Sequence, residues 1–91
     1  MSDTYQGGVR ILGSDGVLLT TGSVSLETDP EHGNWRGILQ TLAGTAVAGK
    51  ALVVTLETPD GKRGAAQLLP DSQEGDKALS LVTGIGTERP F

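Results

Sequence analysis

Apolar and polar residues alternate along most of this chain, and the alternation comes in six runs. Tyr5, Gly7, Val9 and Ile11 alternate with Gln6, Gly8, Arg10 and Leu12. Val17 to Glu27 continues the pattern, with Leu18, Thr20, Gly22, Val24 and Leu26 on one face. Trp35 to Leu42, Leu52 to Glu57 and Lys62 to Leu69 repeat it, as does Asp76 to Ile85, where Leu79, Leu81, Thr83 and Ile85 share a face. Runs of period two with β-branched residues predict half-buried β-strands. A helix over Gly37 to Gly49 is the competing reading. Glycines at 37, 44 and 49, the threonines and the lack of a capping signature argue against it.

Turn chemistry separates the runs. Gly13-Ser14-Asp15-Gly16 and Pro59-Asp60-Gly61-Lys62 each carry Asp-Gly, which supplies the positive φ of a hairpin turn. Thr28 to Asn34 is a loop, since Asp29-Pro30 starts a turn and Pro30 cannot donate to a ladder. Asp71 to Gly75 reads as a second loop, and Gly22 as a bend or bulge inside the second strand. Ala43 to Gly49 reads as a short connection, so Asn34 to Thr58 is expected to be a β-hairpin. Shifted back by thirty residues, that hairpin falls on Tyr5-Gln6-Gly7 and Val24 to Thr28. Shifted forward by twenty-seven, it falls on Arg63-Gly64 and Lys77-Ala78-Leu79. Three hairpins are the simplest description, whether through an internal pseudo-repeat or through the alternation that small β chains share.

The expected fold is therefore all-β: one domain over residues 1–91, a small six-stranded antiparallel β-barrel or barrel-like sandwich. So narrow a barrel is expected to be filled by its own side chains, Val9, Ile11, Leu18, Val24, Leu26, Leu39, Leu52, Val54, Leu56, Leu68, Leu79 and Leu81. A ligand then has to bind at an end, in a surface groove or between subunits. Phe91 is expected to dock against one end. Val17, Leu19, Ile38, Val53 and Val82 fall on the outward face, and an outward apolar surface points to a homo-oligomer or a partner protein.

Composition narrows the functions. The chain has no cysteine, so disulfides and thiolate metal sites are excluded and a reducing cytoplasm is the natural compartment. The opening residues MSDTYQGG lack the basic and apolar regions of a secretory signal, and no apolar run reaches the length of a membrane span. The net charge is −4, with scattered basic residues and only three aromatics. Neither a phosphate-binding footprint nor a base-stacking platform follows from that, and no nucleic-acid partner is expected.

Little in the chain resembles a catalytic constellation. His32 sits among Asp29, Glu31 and Gly33, which suggests a metal ligand or a general base. It is the only histidine, and a solvated loop accounts for it better. Gly84-Ile85-Gly86 opens no helix, so a dinucleotide site lacks its context. Asp71, Glu74 and Asp76 do not match a calcium loop, and neither a metal nor another cofactor is implied. Gln6, Arg36 and Arg63 coincide under the proposed repeat, as do Arg10, Gln40 and Gln67. They form either a solvated face or an anion-recognising patch.

Tyr5-x-Gly7, the Pro30-x-x-Gly33 loop leading to Trp35-x-Gly37, and Gly84-x-Gly86 with Pro90-Phe91 resemble an actinobacterial family of small domains of unknown function. That family occurs alone or appended to flavin-dependent monooxygenase-like proteins. Arg36 stands where the family typically has an aromatic, and Arg89 where it often has proline. The resemblance implies a small β domain without assigned catalytic residues and an accessory role beside a flavin enzyme. The function expected is a non-enzymatic binding, interaction or accessory module. The rival is a small-molecule binder or small enzyme with a site at one barrel end, its ligand held by Tyr5, Trp35, Arg36 and His32, with Arg63 as a further candidate.

Overall fold

A computed structural model describes residues 4–29, 31, 33–42, 44, 47, 50–86 and 90–91. All of its regular structure is strand: β1 (Thr4–Leu12), β2 (Leu18–Asp29), β3 (Asn34–Leu42), β4 (Leu52–Glu57), β5 (Arg63–Glu74) and β6 (Lys77–Gly84). Every neighbouring pair is antiparallel, and the single sheet closes on itself in the order β1-β2-β3-β6-β5-β4. The expected fold class is the observed one. Among the described residues there is no helix long and apolar enough to cross a membrane.

Strand order corrects the expected construction. The hairpins β1–β2 and β5–β6 form, but β3 and β4 do not pair. They lie on opposite sides of the ring, three places apart in its order. Val47 in that connection is fully buried and belongs to the core. In sequence Val47 reads as one of a run of small turn residues, whereas its side chain belongs to the core. The ring is thus two three-strand meanders, β1–β3 and β4–β6, rather than three hairpins. The two meanders share a first turn. Gly13 N–H bonds to Val17 O at 2.9 Å and Gly16 N–H to Gly13 O at 2.9 Å. Thr58 N–H bonds to Lys62 O at 3.0 Å and Gly61 N–H to Thr58 O at 2.9 Å.

The core is the inward set of the alternation: Val9, Ile11, Val24, Leu26, Leu39, Val54, Leu56 and Leu68, with Trp35, Val47, Ala66 and Val82. Five expected positions differ, Val82 among them, expected outside and found in the core. Leu18 is exposed and Leu19 packs on the core, because Leu19 is the extra residue of a bulge between the pairs Ile11–Thr20 and Leu12–Leu18. In β6 the phase is reversed: Ala78, Ser80, Val82 and Gly84 face inward, Leu79 is half-buried and Leu81 is exposed. Size decides this. Trp35 occupies the space opposite β6, and a Cβ on Gly84 would lie 2.5 Å from Trp35 Cε2. With no room for a side chain at position 84, Gly84 takes the inward position, and alternation along the strand then puts Ala78, Ser80 and Val82 inside and Leu79 and Leu81 outside. Asp71 to Glu74 belong to β5, which continues past a register shift at Pro70–Ser72 to a turn at Gly75 with φ 60°.

Two inward hydroxyls, Thr41 Oγ1 and Ser80 Oγ, are buried without a hydrogen-bond partner among the described residues. A buried hydroxyl left unpaired costs about 1–3 kcal/mol. Thr41→Val and Ser80→Ala are therefore expected to raise the melting temperature, each by roughly 4–8 °C if about 1 kcal/mol is recovered. Thermal unfolding followed by circular dichroism measures it. A fall in both variants would mean that the hydroxyls hold a buried water.

Candidate functional site

At one end of the ring the chain gathers its aromatics. The start of β1, the start of β3 and the segment after β6 all reach that end, bringing Tyr5, Trp35 and Phe91. Trp35 is 2 % exposed, with the Phe91 ring edge-on at 6.2 Å and 88°. Phe91 and Tyr5 also pack on the core, so this end is closed by rings as the other is by Val47.

A groove of about 620 Å³ opens beside this end, on the seam that closes the sheet. Its walls are Gly8, Val9 and Arg10 of β1, Thr21 and Gly22 of β2, and Glu57, Thr58, Pro59 and Gly61 at the β4–β5 turn. The groove exists because the seam is short. β1 pairs with β4 only at Arg10–Glu57, Ile11–Leu56 and Leu12–Thr55. Below Arg10, β1 keeps β2 on one edge, and no described strand pairs with the other. Ladder alternation fixes which groups face that edge. Thr58 N–H points to β5, so Glu57 points to β1, Arg10 points to β4, and Gly8 points to the open edge. The Tyr5 hydroxyl donates to Gly8 O at 2.8 Å and so satisfies one of the edge groups.

The charges at the seam are organised by Glu57, whose side chain is only 13 % exposed. Arg63 Nε donates to its Oε2 at 2.6 Å, and Arg10 Nη1 lies 3.6 Å from its Oε1. Both arginines sit directly opposite Glu57 on adjacent strands, so the register itself builds the triplet. In the turn, the Thr58 hydroxyl donates to Asp60 Oδ1 and holds the Asp60 carboxyl below its ordinary value. Two smaller hollows, of about 330 and 350 Å³, lie either side of Ile38 on the outer face and share Glu27 and Gly37.

Among the residues expected from sequence, Tyr5 and Arg63 border the groove, through Gly8 and Glu57 respectively. Trp35 and Arg36 do not converge. They are successive residues on opposite faces of β3, with Trp35 in the core and the exposed Arg36 guanidinium 3.5 Å from Glu27 across the β2–β3 ladder. His32 lies outside the described residues. Sequence reasoning missed Glu57 and Gly8. Each looks unremarkable until β4 is known to lie beside β1. Among the described residues no three His, Cys, Asp or Glu side chains converge as a metal site. Comparison with protein-family models, curated proteins and solved structures finds no match for this chain.

Proposed function

We propose that this chain is a non-enzymatic interaction module that works through its outer face by pairing with a second copy. One observation carries the reading. Ile38, Leu81 and Leu69 are direct cross-strand neighbours on β3, β6 and β5, and they are 44, 42 and 41 % exposed. Three large apolar side chains in a row across a sheet form a patch rather than isolated exposures. The Arg36–Glu27 pair at its margin supplies both signs of charge, which suits a self-complementary contact. The accessory role beside a flavin enzyme that the sequence resemblance implies would use the same face.

Sedimentation from about 10 μM to 1 mM tests the proposal. The wild-type chain is expected to dimerise reversibly, and Leu81→Glu to remain monomeric without losing its fold. A wild-type chain that stays monomeric throughout would sink the reading. The second reading, a small-molecule binder, is supported by the seam groove and not by an end site at Trp35, whose indole is occupied by packing.

A further inference from the structure

Among the strand glycines, 7, 8, 22, 37 and 84 are not alike. A Cβ would meet Gln40 O at 2.6 Å at Gly22, Leu26 Cα at 2.9 Å at Gly37, and the Trp35 ring at Gly84. Gly7 has φ 155° and lies under the Tyr5 hydroxyl. Gly8 is under neither constraint. Its φ is not positive, and the nearest atom to a Cβ there would be Gly22 O at 3.9 Å, an ordinary contact. Glycine inside a strand sacrifices backbone entropy and side-chain packing, and it often marks a place where another molecule approaches the backbone. Gly8 is exposed and lines the seam groove, so a side chain at this position would project into that space.

We infer that the seam groove is a binding site for a small organic carboxylate, kept open by Gly8. The charge balance selects an anion: two guanidiniums, Arg10 and Arg63, face one carboxylate, Glu57. Arg63 satisfies Glu57 at 2.6 Å. Arg10, at 3.6 Å, is beyond hydrogen-bond distance and 68 % exposed, so its donors remain available to a ligand. The Gly8 N–H faces the same open edge. A carboxylate takes the Arg10 fork and the Gly8 N–H, a charge-assisted arrangement. The body of the ligand lies on the backbone of Gly8 and Gly22 against the Pro59 ring. A volume of about 620 Å³ is that of a small-molecule cleft. The site is separate from the Ile38–Leu81–Leu69 row, and it stands or falls independently of self-association.

The test is a titration of the 15N-labelled full chain with sodium benzoate at constant ionic strength, with benzyl alcohol as the uncharged control. Saturable shifts are expected at the amides of Gly8, Arg10 and Gly61 with benzoate and not with benzyl alcohol. Arg10→Gln is expected to weaken binding roughly tenfold. Gly8→Leu is expected to abolish binding while melting no lower than the wild type. The smaller Gly8→Ala is expected to fold and to weaken binding. No saturation by about 50 mM benzoate would overturn the inference. So would equal binding of benzyl alcohol, undiminished binding by Gly8→Leu, or failure of Gly8→Ala to fold, which would give the glycine a structural reason.

Discussion

Trp35→Ala is expected to lower the melting temperature by roughly 20 °C or more. The indole is the largest fully buried side chain of the ring, and truncating a buried tryptophan costs about 3–5 kcal/mol. At roughly 4–8 °C per kcal/mol in a domain of this size, the chain approaches the limit of its stability. The cavity closes poorly, because Gly84 lies beneath the ring and has no side chain to move into it. The two sites are expected to couple. Gly84→Ala alone is severe, since its Cβ enters the indole, and it is milder in a Trp35→Leu background. Thermal melts of the four variants of that cycle measure the coupling. Additive effects would mean that Trp35 does not rest on Gly84.

Gly37→Ala is expected to be nearly as damaging, for a different reason. A Cβ at Gly37 would fall on the backbone carbonyl of Ser25 and within 2.9 Å of Leu26 Cα. Neither can swing aside as a side-chain tip would, so β2 and β3 must separate where Leu26 pairs with Gly37. Forcing atoms into a filled space costs about 1–3 kcal/mol when side chains yield, and the upper end or more applies where backbone must move. A fall in melting temperature of roughly 12–24 °C follows from about 3 kcal/mol. Gly16→Ala is the control for positive φ without crowding, since nothing lies within 4 Å of its Cβ. A Gly37→Ala variant as stable as Gly16→Ala would contradict the close approach of β2 and β3.

The strands were legible in the sequence because alternation is a local signal, and so were the Asp-Gly turns at 15–16 and 60–61. Partner choice was not local. Nothing in Asn34 to Thr58 distinguishes a hairpin from two strands on opposite sides of a ring, and Val47 looks like any small-loop residue until it is seen filling an end. The β6 phase is not legible because Leu79 and Leu81 outweigh Ala78 and Ser80 on any apolarity scale, whereas the fit of Gly84 against Trp35 is what holds the strand in the opposite phase. The same limit applied to the candidate site. Tyr5 and Arg63 were visible as residue types, but the Arg10–Glu57–Arg63 triplet follows from the β1–β4 seam, which only the strand order supplies.

The separation of β3 from β4 in the ring also bears on the order in which the molecule can be made. Each meander can form from contacts near in sequence, but neither edge of the first is covered until the second arrives. The β1–β4 pairs join residues 43 to 47 positions apart, and the β3–β6 pairs residues 35 to 47 apart. Closing either seam brings the two meanders together, so the loop entropy of one span of that length is lost before the core behind it is sealed. Folding is therefore expected to be slow for a chain of this length, and a chain emerging from its ribosome is expected to carry one half with an uncovered apolar face until the other half is made.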